Sequence, residues 1–158
     1  MKPIHVAFVW HMHQPYYKDD LTNTYLLPWV RLRSTKDYFK MPALLDAYPK
    51  VRVTFNLVPS LLAQIEDYGK EESVDLFMNL SRRSAAELSA EEQEFLLRWM
   101  RESHVALRVQ QSPRYLERAS RSVGAQFTNA GIGDGQVWFN LARCDTVWMD
   151  TEPRLDEL

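Results

Sequence analysis

Ile4-His5-Val6-Ala7-Phe8-Val9-Trp10 is the stretch on which the fold turns. Its residues are mostly β-branched or aromatic, and it is too short for a helix. Pro3 before it and the polar run after it bound it as a buried strand over residues 4–10. Arg52-Val53-Thr54-Phe55-Asn56-Leu57 is a second such run, closed by Pro59, and predicts a strand over residues 52–57. Between the two, Tyr38, Phe39, Leu44, Leu45 and Tyr48 fall roughly on one face of a helix spanning Lys36–Tyr48. Pro42 either bends that helix or marks its first turn. Strand, helix and strand at this spacing make a βαβ unit, which demands a parallel pair and a right-handed crossover.

Downstream of Pro59 the pattern is helical. Ser60–Tyr68 reads as a helix with Ser60 as N-cap and Gly69 as its stop. Ser89-Ala90-Glu91-Glu92 is a capping box, followed by an apolar stripe of Phe95, Leu96, Trp99 and Met100. Ser112-Pro113 opens another helix that closes near Gly124. Val137, Trp138, Leu141 and Cys144 recur at helical spacing in Gln136–Cys144. Four of the five glycines fall in Gly124–Gly135, which predicts a loop there. No strand signal follows Leu57. Two parallel strands cannot cover both faces of a sheet, and their edges stay open to pairing. The fold class is therefore α/β, the first part of a larger barrel, with the remainder mostly helical.

Composition excludes more than it identifies. The chain of 158 residues is 46% hydrophobic and 25% charged, and its net charge is −2. Nineteen basic and 21 acidic residues are mixed along it, so nothing argues for nucleic acid or an anionic membrane. Cys144 is the single cysteine and can form no internal disulfide or cysteine-based zinc site. No segment approaches the ~20 apolar residues of a membrane span, and none resembles a signal peptide. A soluble cytoplasmic protein is expected. Five Trp and seven Tyr are many for this length. Such rings stack on the C–H faces of sugars, but they also fill ordinary cores.

Chemistry concentrates at the end of the first strand, in Trp10-His11-Met12-His13-Gln14-Pro15. In parallel α/β folds, reactive groups gather at the carboxyl ends of strands. If the strand persists, His11 and His13 share one side while Trp10 and Met12 take the other. Three readings compete. The histidines could simply satisfy buried polar groups. His-x-His at the end of a barrel's first strand resembles the first two ligands of metal-dependent amidohydrolases, but no Asp or His directly follows the second strand to add a ligand. In the third, imidazole and amide groups hydrogen-bond sugar hydroxyls while aromatic rings stack on the pyranose.

Trp10-His11-Met12-His13-Gln14-Pro15-Tyr16-Tyr17 closely resembles the first signature region of glycoside hydrolase family 57, centred on His-Gln-Pro. The likeness continues through Tyr25-Leu26-Leu27-Pro28-Trp29-Val30-Arg31 and Asp37-Tyr38, then Thr54-Phe55-Asn56-Leu57-Val58-Pro59-Ser60-Leu61-Leu62. It returns at Pro113-Arg114-Tyr115 and at Gln136-Val137-Trp138-Phe139-Asn140-Leu141-Ala142. The resemblance implies an incomplete (β/α)7 barrel, of which residues 1–158 would be a partial catalytic domain with strands one and two and a helical insertion. It implies retaining amylases, pullulanases, glucanotransferases or branching enzymes acting on an α-glucan or maltooligosaccharide, with no cofactor and no metal. It also implies substrate contact at His13, with His11 as a neighbouring pocket residue, Gln14 and Pro15 shaping the turn, and Trp10 and Asn56 nearby. Retaining hydrolysis needs two carboxylates about 5–5.5 Å apart, which the family carries on later strands, so no catalytic residue is expected in this chain. Two alternatives stay open: a segment of a working α-glucan hydrolase or transferase with a missing C-terminal portion, or a truncated non-catalytic remnant or sugar-binding module. Open strand edges predict self-association. Gly131-Ile132-Gly133-Asp134-Gly135 and Arg143-Cys144 depart from the family pattern, and the glycines predict that the last helix starts late.

Overall fold

The structure, a computed structural model, describes residues 3–70, 73–102, 128–141 and 143–144. The chain divides into two compact units, Met1–Val74 and Asp75–Leu158.

The first unit contains the βαβ arrangement that the sequence requires. Strand β1 (Val9–Met12) is followed by a short antiparallel pair, β2 (Lys18–Asp19) and β3 (Thr24–Tyr25). Helix α1 (Trp29–Arg33) then runs through a wide π-turn at Ser34–Tyr38 into α2 (Phe39–Asp46). Strand β4 (Thr54–Leu57) returns parallel to β1, and α3 (Pro59–Tyr68) follows. The register sets Val9 opposite Thr54, Trp10 opposite Phe55, His11 opposite Asn56 and Met12 opposite Leu57.

Both long strands are displaced from the sequence reading. β1 begins at Val9 rather than Ile4 and runs on through His11 to Met12, and β4 begins at Thr54 rather than Arg52. Apolar β-branched residues mark where a strand is favoured, but a ladder exists only where both chains offer paired groups. The Thr54 N–H donates to the Phe8 carbonyl at 2.9 Å, and the Val58 N–H to the Met12 carbonyl at 3.1 Å, which brackets the paired stretch. Ile4 and Val6, without a partner strand among the described residues, are 87% and 71% exposed rather than buried. The β2–β3 pair also escaped the sequence reading because each strand is two residues long. Its turn is held by Asp19, which accepts from the Leu21 N–H and the Thr22 hydroxyl. Asn23 adopts φ 54°, which its short polar side chain tolerates.

The helix expected from Lys36 starts earlier, at Trp29, directly after Pro28. Pro42 lies inside α2. It has no N–H to give the carbonyl of Tyr38, four residues back, and the wide turn ends at that residue. In α3, Pro59 occupies the first turn and Val58 the cap position, so Ser60 is not the N-cap. Its hydroxyl instead donates to the Gln14 carbonyl at 2.9 Å.

Met12, Val30 and Leu61 form the buried centre of this unit, with Tyr17, Tyr38, Met41, Phe55, Ile65 and Tyr68 around them. The helices therefore pack on the side of the sheet that carries Met12 and Phe55. Burying one such aliphatic side chain is worth about 1.5–3 kcal/mol. The other side carries Val9, His11, Thr54 and Asn56, all exposed.

The second unit is helical over the described residues: α4 (Leu76–Arg82), a 3-10 turn at Ala85–Glu87, α5 (Ala90–Glu102) and α6 (Asn129–Leu141). The capping box forms as read, since the Glu92 N–H donates to Ser89 Oγ and the Ser89 N–H to Glu92 Oε2. Hydrogen bonds from the Ser89 N–H and then from the Arg83 guanidinium, 2.6 Å from Glu92 Oε1, hold the Glu92 carboxyl below its ordinary range. Leu80, Ala85, Leu88, Leu96 and Ile132 make the core. Phe77 stacks on Phe139 at 5.5 Å and meets Trp99 edge-on.

The expected glycine loop is overturned in its second half. Gly131, Gly133 and Gly135 lie inside α6, which starts at Asn129 instead of after the glycines. The Thr128 hydroxyl accepts from the Gly131 N–H, starting the helix. Ile132 is 1% exposed and Gln136 5%, so packing offsets the roughly 1 kcal/mol each glycine costs. The Gln136 amide donates to the carbonyls of Leu80 and Arg83 at 2.7 and 3.1 Å, satisfying the end of α4. The helix expected from Ser112-Pro113 to Gly124 and the Pro113-Arg114-Tyr115 block lie outside the described residues.

Candidate functional site

The carboxyl ends of β1 and β4 bring His11, His13 and Asn56 together. Because parallel partners in register point the same way, His11 and Asn56 meet, with Asn56 Nδ2 2.8 Å from His11 Nδ1. Two residues further on, His13 returns to the same side. Its ring stacks on that of His11 with centroids 5.7 Å apart and planes 28° from parallel. All three side chains belong to exposed residues. Trp10 takes the other side, as alternation requires, and meets Phe55 edge-on at 5.2 Å.

Gln14 is placed differently. Its Nε2 donates to the Tyr38 hydroxyl at 3.0 Å, and its Oε1 accepts from the Tyr17 hydroxyl at 2.9 Å. The Tyr38 hydroxyl in turn donates to the His13 carbonyl at 3.0 Å. The amide is thus engaged at both ends in fixing the turn that carries His13.

Sequence reasoning missed the framework beneath this turn. Gln64, fully buried on α3, accepts from the Tyr17 N–H at 2.9 Å and donates to the Pro15 carbonyl at 2.9 Å and to the Ser60 carbonyl at 2.8 Å. One signal was present, since Gln64 shares the helical face of Leu61 and Ile65, where a polar residue needs internal partners. Asp67 was also missed. Its Oδ2 accepts from Lys18 Nζ at 2.6 Å, the Ser73 hydroxyl at 2.8 Å and the Tyr25 hydroxyl at 3.0 Å. Hydrogen bonding from Lys18, then from Ser73, lowers its carboxyl to about 2. Burial, followed by the Asp67 contact, raises the Tyr25 hydroxyl well above its ordinary value. These partners lie far apart in sequence or on opposite sides of a turn, so no local pattern announces them.

The described carboxylates are engaged elsewhere or lie on helices and turns, and β1 and β4 carry none. No group of three or more His, Cys, Asp or Glu that could hold a metal ion occurs among the described residues. Nor is any helix among them long and apolar enough to cross a membrane.

What the arrangement offers is two imidazoles and an amide, supported from behind and open in front. Such a surface suits a neutral, hydroxyl-rich ligand. The family model described as Glycosyl hydrolase family 57 matches residues 7–147, and the chain belongs to that family. At the family level it is thus of a glycosidase type, in a family that acts on α-glucan carbohydrates. No curated protein and no solved structure matches it.

Proposed function

We propose that this chain carries one wall of the sugar-binding cleft of a retaining α-glucan hydrolase or glucanotransferase, with His13 and His11 as the hydroxyl-binding groups. The observation that carries this reading is the gathering of His11, His13 and Asn56 at the carboxyl ends of the two parallel strands, on the side opposite the Met12, Val30 and Leu61 core. Helices α1 to α3 packed on one side, with His11, Thr54 and Asn56 on the other, are what the first two strands of a (β/α)7 barrel would have. In that arrangement the His11 side faces the barrel interior. Gln14 and Pro15 set the turn, and Trp10 supports the strand from behind.

Retaining cleavage requires a nucleophile and an acid/base held about 5–5.5 Å apart. No described carboxylate lies beside His11 or His13 on the strands, so the chain is expected to bind sugar and to leave glycosidic bonds intact. Titrating the purified protein with maltooligosaccharides should shift the resonances of His11 and His13. The substitution His13→Ala should weaken binding at least tenfold, about 1.4 kcal/mol. Reducing sugar released from starch by the wild-type protein, and abolished by that substitution, would show that the chain is catalytic by itself. Unmoved His11 and His13 resonances would remove the sugar-site reading.

A further inference from the structure

The contact between Asn56 and His11 assigns a protonation pattern as well as a position. We infer that Asn56 is a positioning residue that locks the neutral His11 ring in the tautomer carrying its proton on Nε2. The inference rests on the sugar-site reading for its purpose, but its geometry stands independently.

An amide nitrogen has protons and no lone pair available to accept, so Asn56 Nδ2 can only donate. The atom it faces at 2.8 Å is His11 Nδ1, which must then offer a lone pair. A neutral imidazole has one N–H, and with Nδ1 bare the proton resides on Nε2. Among the described residues, the bond to Asn56 is the ring's only hydrogen bond. Nε2–H is consequently left as a directed donor on an exposed residue. Three features hold the pair in place. The β1–β4 register sets the two residues opposite each other, the Val58–Met12 hydrogen bond closes the ladder just beyond them, and the His13 ring lies along one face of His11. A donor at His11 selects a ligand that presents an acceptor oxygen there, such as a sugar hydroxyl or ring oxygen. It disfavours a divalent cation, which would need a bare nitrogen facing outward.

The test is the nitrogen spectrum of the imidazoles in 15N-labelled full chain above neutral pH, without ligand. The wild-type His11 should show a pyridine-like Nδ1 and a pyrrole-like Nε2. Asn56→Asp replaces the donor with a pure acceptor, so the two signals should exchange character. Asn56→Ala should give an averaged pair, and neither substitution should alter the character of the His13 nitrogens. A wild-type His11 protonated on Nδ1, or an averaged spectrum indifferent to Asn56, overturns the inference, and the wild-type spectrum alone decides this if a variant fails to fold. Added maltooligosaccharide separates the two levels. A locked tautomer whose Nε2 signal moves with sugar supports both, whereas a locked tautomer that ignores sugar leaves the positioning role standing and removes the sugar site.

Discussion

At the residue scale, Gln64 shows how a single buried amide can organise a functional turn. It has no exposed surface, yet two of its three hydrogen bonds, from the Tyr17 N–H and to the Pro15 carbonyl, tie α3 to the His-Gln-Pro turn. The third, to the Ser60 carbonyl, stays within α3. Replacing it by Leu keeps the volume roughly constant while stranding the Tyr17 N–H and the Pro15 carbonyl. Tyr17 is half-buried and Pro15 exposed, so each lost bond is worth about 0.5–1.5 kcal/mol. Gln64→Leu should therefore lower the denaturation midpoint by an amount corresponding to about 1–3 kcal/mol, and urea unfolding would measure it. An unchanged midpoint would mean that the turn is held by other contacts. Gln14 belongs to the same layer of support. The motif's glutamine was legible as important in the sequence, but its bonds to Tyr38 and Tyr17 were not. Tyr38 is brought beside it only by the crossover helix.

At the scale of elements, the Asp67 cluster ties α3 to β2 and β3. The Asp67 carboxyl is lowered from 3.8 to about 2 by Lys18 and Ser73. A group whose folded value lies below its unfolded value contributes stability that is fully present above the unfolded value. That contribution is lost as pH falls through the folded one. Stability should accordingly drop between pH 3.8 and about 2. Asp67→Asn should be less stable than wild type at pH 6, show a shallower acid limb, and meet the wild-type curve near pH 2. Melting temperatures across that range would test this, and parallel curves would rule out Asp67 as the source. In the other unit, α6 gives a contrary expectation. Among the described residues, a methyl group at Gly133 would meet only Gln136 Oε1, at 3.9 Å. Gly133→Ala should thus raise stability by about 0.4–1 kcal/mol, readable as a higher melting temperature. A decrease would show that the glycine serves a close approach not apparent from the helix geometry.

For the molecule as a whole, what stands out is apolar surface without a neighbour. Phe8 and Val9 are 57% and 60% exposed beside a two-stranded sheet whose outer edges have no strand partner among the described residues. Open edges and exposed apolar residues favour pairing with another chain. The purified protein should show concentration-dependent association by light scattering, and Val9→Lys should reduce it. A monodisperse monomer that melts cooperatively at high concentration would contradict this expectation. The two units carry separate cores, one centred on Met12, Val30 and Leu61 and the other on Leu80, Leu96 and Ile132.

The amino-acid sequence by itself determined the βαβ order, the capping box at Ser89, the helical character of α3 and α5, and the family. It also determined that His11 and His13 share a side, because strand alternation is local geometry and needs no partner to be specified. Tertiary structure alone decided where β1 and β4 begin, because a ladder extends only as far as both strands supply paired groups. It likewise decided that three glycines sit within α6, where buried Ile132 and Gln136 outweigh a local preference for loop. The meeting of His11 with Asn56 belongs to both levels. Each residue was readable as a candidate, but the hydrogen bond that selects a tautomer exists only because the register of two strands, distant in sequence, sets them face to face.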